Sequence, residues 1–373
     1  MRLDHLTLYS FRNYEQAQFD FVPGVNLIVG DNAQGKTNLL ESISYLSTGK
    51  SFRTRKEKEL IRFDDDFAQL EAQVFAFDRD QKIKVNLFQG RRKRQLFLGE
   101  IKQKSMAEMA GVMTSVLFCP EDLGVLKGGA APRRRLMDAG LCQLRPNYQK
   151  ALTEYNRLYE HKSRILKDHW ENPSLLETLP DFNLRMAEIG AILIGYRWRY
   201  LEKLSQLTQN FHREFSGGKE ELTIEYQTIS TITDTDISRE NILEKILEHQ
   251  ESHYQAELRC GMCLTGPHKD DFDVNLDGVS LKSYGSQGQT RTAAISLKLS
   301  ERQMMKDDTG EEPILLLDDV LSELDPNRQD FILNKIQTGQ VFITCCEKEK
   351  FTKIGKAHEI SAGNLMNHYS LLI

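Results

Sequence analysis

Polar and apolar residues alternate from the start of the chain, in "HLTLYSF", "FAQLEAQVFAF" and "KIKVNLFQGRRKRQLFLGE". A period of two predicts strands with one buried face, and the last two stretches are spaced as hairpins. "VNLIVG" is apolar throughout, as a strand buried on both faces is, and a helix is expected after Lys36. From Pro132 to about His212 the period lengthens. Phe182, Met186, Ile189, Leu193, Tyr196, Tyr200, Leu204, Leu207 and Phe211 recur every three or four residues, which predicts one long helix of roughly 45 Å ending at Gly217-Gly218. A partner helix precedes it with Tyr148, Leu152, Tyr155 and Tyr159 on one face, and Pro173 and Pro180 punctuate the turn between them. "ELTIEYQTI" then alternates as a strand, "SRENILEKILEHQESHYQAELRCG" returns to helix, and strand signals resume from "MCLTGPHKDDFDVNL" to the end. The chain therefore divides into an α/β unit, residues 1–120 and 260–373, split by a mainly helical lobe with a short strand segment, residues 121–259.

The composition of this 373-residue chain, 40% hydrophobic and 28% charged, suits a large buried core and excludes disorder as the dominant state. Six irregularly spaced cysteines make no disulfide framework, and the N-terminus lacks the apolar stretch and cleavage pattern of a signal peptide. A cytoplasmic setting without a membrane span is expected. The net charge of −5 disfavours indiscriminate polyanion binding, so any phosphate recognition must come from local patches.

Chemistry concentrates in three places. Gly30, Asp31, Asn32, Ala33, Gln34, Gly35, Lys36, Thr37 and Asn38 spell a G-x-x-x-x-G-K-T loop between an apolar strand and a helix. Its N–H groups can cradle a β-phosphate, Lys36 can bridge the β/γ oxygens, and Thr37 can ligate Mg²⁺. "PILLLDDVLSELD" carries Asp318 and Asp319 at the carboxyl end of a second apolar strand, where ligands of α/β sheets bind. Asp318 is placed to hold Mg²⁺ and Asp319 to orient or deprotonate a water; alone, such a pair is more often a solvated strand end. Ser286, Gln287, Gly288 and Gln289 open a helix and offer either a second phosphate-reading surface or a simple helix cap.

In this order, with "FRNY" (Phe11–Tyr14), "KSFRT", "PEDLGVLKGG", "PRRRLMD", "TGPHKDDF" and "YGSQGQTR", the motifs resemble the RecF family of SMC-like ATP-binding-cassette ATPases over nearly the whole chain. The resemblance implies a P-loop ATPase head with an inserted helical lobe, Arg12 and Asn13 beside the nucleotide, and a head-to-tail homodimer formed on ATP. Ser286, Gln287, Gly288 and Gln289 would then read the γ-phosphate of the other subunit, and Asp325 would lie near the seam. It further implies slow hydrolysis, gapped DNA at single-strand/duplex boundaries as ligand, and RecR and RecO mediators as partners. Gln287 and Asp319 stand where cassettes in general have Gly and Glu, and Cys345 stands at the switch-histidine position; the shorter Asp319 and the thiol of Cys345 point to slow turnover. A transporter ATPase subunit and a small-molecule kinase are the competing readings.

Smaller signals are ambiguous. Arg91, Arg92, Lys93 and Arg94 at a hairpin tip are either DNA contacts or a solvated tip. Arg133, Arg134 and Arg135 fit lobe packing or rim charge before DNA contact, the third reading. Cys260 and Cys263 have zinc-ligand spacing without a second pair, which favours entry into a buried strand. His268 has no derivable role.

Overall fold

The computed structural model describes residues 1–232, 238–346, 355–361 and 364–366. The chain forms two compact units, Met1–Gly124 with Ala294–Ile373, and Val125–Ala293.

In the first unit, strands β1 (Arg2–Phe11) and β2 (Tyr14–Asp20) form a hairpin. The strand after them, β3 (Val25–Val29), runs into the loop before helix α1 (Lys36–Thr48). Next come β4 (Phe67–Ala76), β5 (Arg79–Phe88), β6 (Gln95–Leu98) and β7 (Ile101–Gln103), which close an antiparallel sheet of order β2-β1-β4-β5-β6-β7. Through β4, the second half of β5 and β1 beyond its irregularity at Leu3–His5, every second residue is buried, including Leu6, Leu70 and Val85, so the period of two marks the inner face. After β8 (Ser115–Phe118) the chain leaves for the second unit.

That unit begins with three helices, α2 (Ala130–Leu144), α3 (Pro146–Asp168) and α4 (Leu179–Ser216). The 38 residues of α4 span about 57 Å at 1.5 Å each, and Gly217 ends the helix with a φ of 64°. Pro180 lies in the first turn of α4 rather than in the connection, because that turn needs no N–H from it. Strand β9 (Leu222–Gln227) and helix α5 (Arg239–Cys260) follow. The strand expected from Met262 starts only at Asp271, since Gly266 at φ 129° and Pro267 make a turn first. β10 (Asp271–Leu276) and β11 (Val279–Ser280) join β9 in a three-stranded sheet, and α6 (Leu281–Tyr284) is a single turn. Because β10 pairs with β9, the packing boundary falls after Ala293, within α7 (Gln287–Thr309), and not near residue 260. The CxxC pair is not a strand entry either: Cys260 ends α5 and is exposed, Cys263 is buried beyond the turn, and no group of three or more His, Cys, Asp or Glu suited to a metal occurs among the described residues.

The "TGPHKDDF" motif is the knot of this unit. Arg197, on α4, donates to the Asp270 carboxylate at 2.7 Å, the Asp138 carboxylate at 2.8 Å, the Pro267 carbonyl and the Tyr148 hydroxyl. Arg133 forks onto Asp271 at 2.6 and 2.8 Å, and is thereby lobe packing, one of its three readings. His268 lies with Nδ1 2.8 Å from the Tyr155 hydroxyl and Nε2 3.1 Å from the Cys263 carbonyl, which gives it a structural role. Burial pushes the His268 imidazole down to about 4. The unfolded chain takes up this proton below about pH 6.5 and the folded one does not, so the folded state loses stability as pH falls from 6.5 toward 4, by about 2 kcal/mol at pH 5. Thermal melts are expected to fall by about 4–8 °C between pH 7 and pH 5 from this residue, and His268→Gln should flatten that part of the dependence.

The chain then returns through α7 to β12 (Ile314–Leu317), α8 (Pro326–Lys335), β13 (Val341–Cys345), β14 (Lys356–Ser361) and β15 (Asn364–Met366). With β3 and β8 they form a sheet of order β15-β14-β3-β13-β12-β8, parallel except at β15. Thus β13 separates the two motif-bearing strands β3 and β12, and all three deliver their carboxyl ends to one edge. Among the described residues no helix is long and apolar enough to cross a membrane.

Candidate nucleotide site

The loop from Gly30 to Gly35 is held by its neighbours before any ligand arrives. Gly35 has φ 121°, and a Cβ there would meet Asn13 and Tyr14 at 2.9–3.0 Å; at Gly30 it would strike the Ile360 carbonyl at 2.4 Å. Only glycine fits both places. Asn13 donates to the Gln34 carbonyl at 3.0 Å and accepts from Asn38 at 2.7 Å, while the Tyr14 hydroxyl donates to the Gly35 carbonyl at 2.9 Å. The "FRNY" segment is thus a brace behind the loop.

Asp31, Asn32, Ala33, Gly35, Lys36, Thr37, Asn38, Arg53 and Asp319 line a cleft of about 340 Å³, within the usual range of ligand pockets. Lys36 is 4% exposed, and its ammonium donates to the Gly30 carbonyl at 2.6 Å, the Asp31 carbonyl at 3.1 Å and the Cys346 thiol at 3.2 Å. Two loop carbonyls and the Cys346 thiol take its three protons, so the cation is already held at the loop where a phosphate would sit.

Across the cleft, Asp318 accepts from the Thr37 hydroxyl at 3.0 Å, with the Thr344 hydroxyl also 3.0 Å away. Burial raises the Asp318 carboxyl above its usual range, against the pull of those two hydroxyls. A cation there would relieve the raised carboxyl. The geometry fits Mg²⁺: adjacent ligands of an octahedron with bonds near 2.05 Å lie about 2.9 Å apart, close to the Thr37–Asp318 separation. Asp319 takes a left-handed φ of 53° and donates its N–H to the Thr344 hydroxyl at 2.8 Å, which turns its side chain into the cleft instead of along the strand.

Three residues expected at working positions have their side chains engaged within the fold. Arg12 forks onto the fully buried Glu41 carboxylate at 2.8 Å on both arms and donates to the Glu59 carbonyl, so its donors are engaged within the fold, while it lines with Asn13, Asn38 and Arg53 a pocket that adjoins the cleft. Arg53, from "KSFRT", is the arginine that lines the cleft, half-exposed, with its guanidinium 2.7 Å from Asn38 Oδ1. Its distance in sequence from the loop gave no signal beyond that short motif. Cys345 is buried in β13, and the thiol facing the loop belongs to Cys346, which also donates to Asn32 at 3.1 Å. Strand alternation explains the exchange: one residue along β13 reverses the side chain. Arg94 is likewise committed, to Glu57, the Gly49 carbonyl and the Tyr45 hydroxyl at 2.5–3.0 Å, which removes it from the basic hairpin tip.

Ser286 and Gln289 form a reciprocal cap at the start of α7: the Gln289 N–H donates to the Ser286 hydroxyl at 3.2 Å, and the Ser286 N–H to the Gln289 side chain at 3.0 Å. Gln287 and Gly288 make the first turn between them. Asp325 caps α8, accepting from the Arg328 N–H at 3.2 Å and pairing with the Arg328 guanidinium.

A family model described as RecF/RecN/SMC N terminal domain matches residues 2–366. The chain is 39% identical to the DNA replication and repair protein RecF of Clostridium kluyveri over 345 residues, covering 92% of this chain and 93% of that one. It is 37% identical to the protein of the same name from Staphylococcus epidermidis, covering 98% of this chain and 100% of that one. A solved structure of the recombination mediator protein RecF with ATP, in the RecFOR pathway, superposes with a TM-score of 0.90 at 35% identity over 98% of this chain and 97% of that one. The Smc head domain of Pyrococcus furiosus, at 15% identity and a TM-score of 0.54, shares the fold.

Proposed function

This chain belongs to the RecF family of DNA replication and repair proteins, and on that premise we propose that it works as an ATP-gated, DNA-binding switch that supports recombinase loading. Membership sets aside the transporter-subunit and kinase readings. The observation that carries the proposal is the convergence of Lys36, Thr37 and Asp319 on one cleft, with the buried Asp318 hydrogen-bonded to Thr37 beside it, a site for triphosphate and Mg²⁺.

In this reading Lys36 and the loop N–H groups hold the phosphates, Thr37 and Asp318 hold Mg²⁺, which would neutralise developing charge, and Asp319 orients the attacking water. Arg53 adds a half-exposed positive charge to the cleft lining. Asp319 is one methylene shorter than glutamate and fixed by the Thr344 contact, which suits a slow clock better than a pump. Ser286, Gln287, Gly288 and Gln289 present a helix N-terminus that meets the γ-phosphate of a second copy, with Asp325 near the seam, so that ATP joins two subunits and the dimer holds gapped DNA. RecR- and RecO-type mediators are the expected partners.

The test is sedimentation with ATP or ADP, with and without gapped DNA, of the wild type and Ser286→Arg. ATP-dependent dimers that bind DNA, lost in Ser286→Arg while ATP binding persists, support the proposal. A monomer that binds gapped DNA equally well without ATP sinks it.

A further inference from the structure

The outer face of the antiparallel sheet has an unusual composition. The inner face already buries the core, so the outer positions are free to be polar, and alternation in an ordinary sheet makes them so. Here they carry Phe67 opposite Phe88, and Tyr9 beside Phe67, with ring centroids 5.3 and 6.2 Å apart. Tyr9 is 47% exposed, and Phe67, Phe88 and Phe97 are half-buried.

Cations sit among these rings. The Arg92 guanidinium lies 3.9 Å from the Phe88 centroid and the Lys84 ammonium 4.9 Å from that of Phe97, while Arg2 covers Phe75 on the same face at 4.5 Å. Significant cation–aromatic pairs occur about once per 70–80 residues in proteins, so three on one face of one sheet are dense. Cross-strand aromatic pairs alone would serve to stabilise the sheet. They would not call for basic residues at the same rows, nor for the basic tip that continues the row from Phe88 into Arg91 and Lys93.

We propose that this face, with Tyr9, Phe67, Phe88 and Phe97 interleaved with Lys84 and Arg92, is a stacking platform for single-stranded nucleic acid. Every base has a π-face, so half-exposed rings along a sheet take successive bases without reading sequence, and the neighbouring cations neutralise the backbone. Duplex bases are already stacked on each other and gain nothing from the rings, which makes the face selective for the unpaired strand. The inference rests on the DNA-binding reading above and assigns to it the single-stranded side of a gapped substrate.

Fluorescence anisotropy with labelled oligo(dT) and with a labelled duplex of equal length, in the presence of ATP, tests it. Tyr9→Ala and Phe88→Ala are each expected to weaken oligo(dT) binding roughly 5- to 100-fold, with duplex binding within twofold of wild type. Phe88→Trp should retain oligo(dT) binding, and Arg92→Ala should lower the salt dependence by about one ion. Unchanged ATP binding and thermal melting show that the variants are folded. Equal losses for duplex and oligo(dT), or no loss for either, overturn the platform. A wild type that binds duplex but not oligo(dT) overturns it while leaving the ATP-gated switch standing; one that binds neither DNA overturns both.

Discussion

Asp319→Asn is expected to lower ATP turnover by roughly 10²–10⁴-fold, the usual contribution of a positioned general base, while ATP affinity stays within a few-fold. The substitution isolates the chemistry because it spares the geometry. Residue 319 holds φ 53°, a left-handed conformation that Asp and Asn tolerate far better than other side chains, and its N–H to Thr344 does not involve the carboxylate. The carboxamide has nearly the same shape but cannot accept a proton. Phosphate release at saturating ATP, set against the Kd of a fluorescent ATP analogue, separates the two effects, and the ATP-bound dimer should accumulate. Turnover within threefold of wild type would remove Asp319 from the water-activating role. Asp319→Glu, the residue of cassette ATPases in general, is expected to fall short of faster hydrolysis, because glutamate must adopt the same left-handed backbone at a cost of about 1 kcal/mol or more and its carboxylate lands a methylene further into the cleft.

The features legible in the sequence are those set by local periodicity or fixed spacing. The loop from Gly30 to Thr37 announces itself because glycine positions, lysine and threonine must occur at fixed intervals for one turn to hold a phosphate. The long helix α4 is legible from its apolar stripe and its glycine stop, although its 38 residues start before Phe182 and take in Pro180. Features that depend on residues distant in sequence were not. Cys346 reaches the cleft because β3 and β13 are neighbours in the sheet, Arg53 because the segment after α1 lays its guanidinium on Asn38 of that helix, and Arg12, next to the brace residue Asn13, is engaged by the buried Glu41. A motif does not announce whether it is chemical or structural either. "TGPHKDDF" has the His-Lys-Asp-Asp density of an active site, yet its fully buried Asp270 is held by Arg197 of α4 and its half-buried His268 by Tyr155 of α3, so that both hold the second unit together.

That last assignment carries the largest stability effect. Arg197→Met is expected to destabilise the protein by about 3–5 kcal/mol, the range for breaking a buried ion pair by removing one partner. Asp270 is fully buried and receives Arg197 at 2.7 Å, the Tyr226 hydroxyl at 2.5 Å and the Thr228 hydroxyl at 2.7 Å. Burial pushes its carboxyl up, and Arg197 with the two hydroxyls pulls it back only in part. Without the guanidinium the carboxylate must take a proton or draw in water, and the Asp138 carboxylate and Pro267 carbonyl lose a donor as well. Arg197→Lys should recover less than half of the loss, since an ammonium cannot span Asp138, Asp270 and Tyr148 at once. The double variant Arg197→Met/Asp270→Asn removes the stranded charge and is expected to be more stable than Arg197→Met alone, a non-additivity that urea denaturation of the four proteins of the cycle measures directly. Additive losses would mean that the two side chains are stabilised independently, and the knot would then lie in the Asp138 and Tyr148 contacts instead.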